Sequence, residues 1–189
     1  MQPLDVTLDD GRRVSALLEV PHHARACLVL AHGAGAGMTH PFMADMAREL
    51  AERAIATLRY QFPYMEQGSK RPDTPAVAQA TVRAAVAEAA RRLPAAALFA
   101  GGKSFGGRMT SQAQAAQPLP GVRGVVFFGF PLHPAGKPSE ARAQHLADVK
   151  VPMLFLQGTR DDLAELGLLR PVVERLGARA RLEVFEGAD

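Results

Sequence analysis

Between positions 101 and 107 the chain reads Gly101-Gly102-Lys103-Ser104-Phe105-Gly106-Gly107, so Ser104 has a glycine two residues to either side. That spacing suits a serine used as a nucleophile. A hydroxyl presented on a sharp strand-to-helix turn forces the positions two residues away into near contact, where no side chain is tolerated. The same letters approach two phosphate-binding patterns and complete neither. A P-loop requires glycine five positions before Gly102, where Ala97 stands, and Leu98-Phe99-Ala100 reads as strand rather than flexible loop. In the cluster Gly33-Ala34-Gly35-Ala36-Gly37 the third glycine of a dinucleotide fingerprint would fall on Met38, and the next strand ends in Arg59-Tyr60 rather than an acid. The purely structural alternative for Ser104 is a cap on the following helix.

Acyl transfer through Ser104 needs two oxyanion donors, a base and an acid to orient it. The small-residue loop His32 to Gly37 can bring backbone N–H groups against a ligand, and the donors expected are the N–H of Ala34 and that of Phe105, the residue after the nucleophile. His32 itself reads as a hydrogen-bonded brace of that loop. In a strand-turn-helix site of this kind the acid follows a later strand, and Leu154 to Asp162 supplies Asp161 first, with Asp162 as the fallback; the competing use is a helix cap. The base is expected after the last strand. The six histidines, His22, His23, His32, His40, His133 and His145, all precede it; His133, in the loop after the strand that follows the nucleophile helix, is the one that could face the same crevice.

These residues need a scaffold, and the hydrophobic pattern describes one. Strands are expected at 14–20, 26–31, 54–60, 96–100, 122–128, 151–156 and 181–185, several of them as apolar runs without alternation, the mark of strands covered on both faces. Between them the period lengthens. Helices are expected from 39–41 to about 50, from Thr74-Pro75 to Leu93, over 105–116, 139–147 and 163–176. Such alternation implies one α/β domain over residues 1–189, a mostly parallel sheet with helices on both faces, and ligand chemistry at the carboxyl ends of its strands. Between Phe128 and the next helix only Gly129 to Pro138 intervene, too short for a cap domain. Loop 61–73 is long enough to wall the pocket, with Tyr64 and Met65 either lining it or forming a surface loop held by Pro63. Lys103 would either attract an anionic substrate or point away from the crevice.

Composition narrows the classes further. The 189 residues are 48% hydrophobic and 22% charged, with 17 Gly, 14 Pro and a single cysteine, Cys27, which excludes an intrachain disulfide framework or a multi-cysteine metal site. Cytoplasmic residence is the expectation. The 22 Lys+Arg against 19 Asp+Glu leave a net charge of only +3, and basic residues occur singly or in pairs such as Arg12-Arg13 and Arg91-Arg92. No phosphate-tracking stripe is present and, with no tryptophan and two tyrosines, stacking platforms are few, so no nucleic-acid partner is expected. No apolar run approaches the ~18 residues of a membrane span. The expected ligand is a small molecule, with no cofactor and no metal.

The stretches His32-Gly-Ala-Gly-Ala-Gly37, Arg59-Tyr-Gln-Phe-Pro-Tyr-Met65, Gly101-Gly-Lys-Ser-Phe-Gly-Gly-Arg108 and Gln157-Gly-Thr-Arg-Asp161 resemble, in order, the α/β-hydrolase superfamily. The closest likeness is to its small cap-less, dienelactone-hydrolase-like branch, including bacterial relatives of the testis-expressed and NSL-complex-subunit proteins. The resemblance implies a serine esterase acting on small esters or lactones, with Ser104, Asp161 and a histidine as its triad. In that family the final strand leads into Gly-Ala-Asp-His. This sequence matches through Asp189, and the expectation is that the chain continues to the histidine just beyond it. The rival from another class is a non-catalytic α/β-hydrolase-fold interaction module.

Overall fold

Eight strands form one sheet in the computed structural model, which describes residues 1–189. They are β1 (Gln2–Thr7), β2 (Arg13–Glu19), β3 (Ala26–Ala31), β4 (Ile55–Tyr60), β5 (Ala97–Lys103), β6 (Val122–Phe128), β7 (Met153–Gly158) and β8 (Ala180–Phe185), in the spatial order β1-β2-β4-β3-β5-β6-β7-β8. β1 and β2 pair antiparallel, as do β2 and β4; every pairing from β4 to β8 is parallel. The central strands are the apolar ones: in β3 every residue after Ala26 is buried. β1 was not expected from the sequence. It is an edge strand carrying Pro3, and Val6 is its only buried residue, so it lacks the apolar signature that marks the interior strands.

Five helices connect the strands: α1 (Pro41–Glu52), α2 (Pro63–Glu66), α3 (Pro75–Arg92), α4 (Phe105–Ala116) and α5 (Leu166–Leu176). α2 is a single short turn inside the segment expected to be loop, and residues 141–148 form a 3-10 helix. Three helices begin with proline at their first position, where the missing N–H costs nothing. α3 turns Ala78, Val82, Ala85, Val86 and Ala89 inward. These small residues let it lie close to α4, whose own inner face is Gly106, Gly107, Thr110 and Ala113.

The two faces of the sheet are covered unequally. α3, α4 and α5 pack over the larger buried clusters, whereas α1 faces a cluster of only four buried residues, Leu28, Leu30, Met43 and Phe128. Beside α1 an apolar groove of about 510 Å³ stays open, lined by Leu28, Phe42, Phe99, Val126, Leu154 and Phe185 among others. Phe185 is 51% exposed. No helix is long and apolar enough to cross a membrane.

A half-buried histidine away from the sheet's carboxyl edge gives the fold an acid limit. Burial, reinforced by the positive charge of Arg108, pushes the His145 imidazole down to about 4. Its Nε2 lies 2.7 Å from Ser111 Oγ, which also lies 3.0 Å from the Arg108 carbonyl oxygen. The unfolded chain takes up a proton at His145 near pH 6.5 and the folded one does so only near 4. Stability therefore falls as pH drops through that window, by at most about 3 kcal/mol from this group. Urea unfolding at pH 7 and pH 4.5 is expected to show a smaller loss for His145→Gln than for wild type; equal losses would assign the effect elsewhere.

Candidate active site

β5 ends at Lys103 and α4 begins at Phe105, leaving Ser104 alone to reverse the chain. It does so at φ 47° and ψ −111°, a left-handed conformation that costs a residue with a Cβ on the order of 1–3 kcal/mol. Its N–H is shared between the carbonyls of Phe128 and Gly129, at 3.1 Å each, which fastens the turn to the end of β6. The flanking glycines are required sterically. A Cβ on Gly102 would stand 2.4 Å from the Ala31 carbonyl oxygen, and one on Gly106 2.5 Å from that of His32. The Ser104 side chain makes no capping hydrogen bond, so its hydroxyl is not used as a helix cap.

Facing the turn is the loop that follows β3. Ser104, Lys103, Ala34, His40, Phe42 and Leu163 all border a crevice of about 330 Å³. The N–H groups of Ala34 and Phe105 have no acceptor within the protein, and the second of these belongs to the first residue of α4, where the helix dipole favours negative charge. His32 is wholly buried. Its Nε2 accepts from the Phe62 N–H at 3.0 Å, so Nδ1 carries the proton and donates to the Gly33 carbonyl at 2.7 Å. Burial lowers its pKa and keeps the ring neutral, in keeping with a brace rather than a base.

Asp161 is held rigidly in the loop after β7. One carboxylate oxygen accepts from Gln157 Nε2 at 2.7 Å and the other from the Leu163 N–H at 2.9 Å; buried Gln157 is itself fixed by accepting from the Phe130 N–H. The carboxylate comes within 3.0 Å of the point where a Cβ on Gly129 would lie, and Gly129 is the residue whose carbonyl holds Ser104. Gly129 thus separates Ser104 from Asp161, and any side chain there would intrude. Asp162, the fallback, is exposed and makes no side-chain hydrogen bond. Helix α5 starts only at Leu166, so Asp161 serves a local turn and not the α5 cap.

Two expectations are corrected. Tyr64 does not line the crevice: it is 3% exposed and lies beneath the β3 loop, its hydroxyl donating to the Ala34 carbonyl at 2.9 Å. Met65 likewise stays outside the crevice and packs against the core under β2. Short helix α2 causes both displacements, by turning the segment inward where an extended loop would have reached the pocket. The residues that do wall the crevice, His40, Phe42, Met43 and Leu163, went unnoticed as pocket residues. Only the position of His40-Pro41 three residues after the last glycine of that loop hints at them.

The chain from Phe185 to Asp189 also reaches this edge. The Thr159 N–H donates to the Phe185 carbonyl at 3.1 Å, the Arg160 N–H to that of Ala188 at 2.8 Å, and the Gly187 N–H to Thr159 Oγ1 at 2.8 Å. Gly158 permits the approach, since a Cβ there would lie 2.2 Å from the Ala188 carbonyl oxygen. Lys103 does not point away: its Nζ lies 3.3 Å from the Asp189 carbonyl and 5.4 Å from the centre of the Phe42 ring. His133 is buried, its Nε2 accepting from the Glu165 N–H and its Nδ1 close to the Pro134 carbonyl, which makes it a loop brace.

An eight-stranded, mostly parallel sheet with a one-residue serine turn at its carboxyl edge and no excursion after β6 defines a cap-less α/β-hydrolase fold. Residues 24–189 match the family model described as an alpha/beta hydrolase domain, and the chain belongs to that family. Among solved structures it is similar to a dienelactone hydrolase from Anabaena variabilis, with 21% identity, TM-score 0.83, and coverage of 100% of this chain and 86% of that one. It is also similar to an alpha-beta serine hydrolase homologue from Coxiella burnetii (17% identity, TM-score 0.81, 99% and 88% covered). A lid-less a/b serine hydrolase from Xanthomonas campestris aligns comparably (20% identity, TM-score 0.79, 99% and 84% covered).

Proposed function

We propose that this protein is a serine hydrolase acting on small carboxylic esters or lactones, with Ser104 as nucleophile and Asp161 as the acid of its triad. The observation that carries the reading is the conformation of Ser104: a non-glycine residue kept at φ 47° between two glycines whose Cβ atoms would strike backbone is strain without a structural use. Ser104 Oγ attacks the carbonyl carbon, its proton passes to an imidazole, and the resulting oxyanion is held by the N–H groups of Ala34 and Phe105. Collapse of that intermediate expels the alcohol, which takes the proton from the imidazolium. Water then repeats the sequence on the acyl-enzyme and releases the acid.

We place the imidazole on the residue following Asp189. The resemblance to a Gly-Ala-Asp-His ending supports this, as does the stitching of residues 185–189 to the crevice beside Lys103. Substrate class follows from the open crevice of about 330 Å³ and the lack of a cap, and is in keeping with the dienelactone hydrolase among the structural neighbours.

Treatment of the full-length gene product with a fluorophosphonate is expected to give a Ser104 adduct, alongside turnover on a panel of short-chain esters and lactones that Ser104→Ala lacks. No adduct would overturn the reading in favour of an interaction module. Asp161→Asn is expected to lower kcat by roughly 10²- to 10⁴-fold, because the amide orients the imidazole in the wrong tautomer. Asp162→Asn is expected to change it little; the reverse ranking would move the acid to Asp162.

A further inference from the structure

The Arg59–Tyr64 segment touches the β3 loop through four of its six residues. Arg59 Nη1 donates to the Met38 carbonyl at 3.1 Å, Gln61 Oε1 accepts from the Met38 N–H at 2.8 Å, and the Phe62 N–H holds His32. Tyr64 completes the set at the other end of the loop. Its hydroxyl stands 2.9 Å from the Ala34 carbonyl oxygen and 3.4 Å from that of Gly33, and its own N–H donates to Asp73 Oδ2 at 3.0 Å. The Tyr64 ring also packs edge-on against Phe105, the residue bearing the other unpaired N–H.

We propose that Tyr64 is a positioning residue for the oxyanion hole: its hydroxyl holds the Ala34 carbonyl on the buried side while His32 Nδ1–H holds that of Gly33, and the two anchors together keep the Ala34 N–H turned to the crevice. In a trans peptide the C=O and N–H point in opposite directions, so the His32 bond to the Gly33 carbonyl aims the Ala34 N–H away from the core, and the Tyr64 bond to the Ala34 carbonyl fixes the following peptide so that the loop cannot turn about Ala34. The loop needs such an anchor. Gly33 and Gly35 flank Ala34, and peptides beside glycine rotate at little steric cost. Burial, with the nearby Asp73 carboxylate, pushes the Tyr64 hydroxyl up to about 12, which keeps it a donor over the working range of an esterase.

This inference rests on the serine-hydrolase reading, and Tyr64→Phe in the full-length protein separates the two. Wild type must first label at Ser104; if it does not, the hydrolase reading fails on its own. In the variant, kcat on a short-chain ester is expected to fall about 10- to 100-fold with KM within twofold, less than or comparable to removing a donor outright. Affinity for a trifluoromethyl ketone, which forms a tetrahedral oxyanion on the serine, should fall by the same factor. The Ala34 amide signal in a ¹⁵N NMR spectrum, read without ligand, should broaden or double. An unchanged Ala34 amide overturns the inference whether or not the protein is an esterase, and so do unchanged kcat and ketone affinity, or a loss confined to KM.

Discussion

Ser104→Gly is expected to yield a protein more stable than wild type that has lost ester hydrolysis by on the order of 10⁶-fold. The two effects share one cause. At φ 47° and ψ −111° the Cβ of Ser104 is strained by roughly 1–3 kcal/mol, a cost that glycine does not carry. Glycine gives back about 0.5–1 kcal/mol through the greater freedom of its unfolded chain, so the net gain is about 1 kcal/mol. Ser104→Ala separates the terms: it removes the nucleophile and keeps the Cβ, so its stability should stay near that of wild type. Urea denaturation of the three proteins, beside their rates on one ester, decides the matter. If Ser104→Gly is no more stable than Ser104→Ala, the turn stores no strain and the main support for a catalytic serine is gone.

That strain explains why Ser104 could be read from the sequence as the candidate nucleophile while parts of the adjoining pocket could not. Backbone crowding leaves a record in residue type: Gly102 and Gly106 flank Ser104 because the Ala31 and His32 carbonyls leave no room for a side chain. The central strands are equally legible, since β3 is buried along nearly its whole length and tolerates only apolar residues. β1 is not, because an edge strand with one buried residue reads like any polar segment. Tyr64 shows the remaining limit. Whether an aromatic residue after Phe62-Pro63 faces the pocket or the core depends on whether the chain there extends or turns, and four residues of helix carry too little periodicity to tell. The unequal cover of the two sheet faces was hidden for a related reason: the hydrophobicity of Leu28, Phe99 and Leu154 reports that a face is to be covered and not which element covers it.

Gly106→Ala is the substitution expected to damage fold and site together. Its Cβ would sit 2.5 Å from the His32 carbonyl oxygen and 2.7 Å from both the Cβ and the carbonyl oxygen of Ala31. Two of those three atoms are backbone of β3 or the residue after it, so no side chain can rotate aside and α4 must move as a body. Overpacking of a well-packed interior costs typically 1–3 kcal/mol, and the rigidity of these neighbours puts this case at about 3 kcal/mol or beyond. Displacing α4 from β3 also separates the two proposed oxyanion donors, since the Phe105 N–H rides on α4 and the Ala34 N–H on the loop leaving β3. Molecules that stay folded should therefore lose kcat with KM little changed, because the oxyanion forms only after the substrate is bound. Gly35→Ala is the matched control: a Cβ there meets nothing within 4 Å, and its stability should lie within about 0.5 kcal/mol of wild type. Equal stability of the two variants in urea would mean that α4 and β3 are not in the contact that holds the oxyanion donors together.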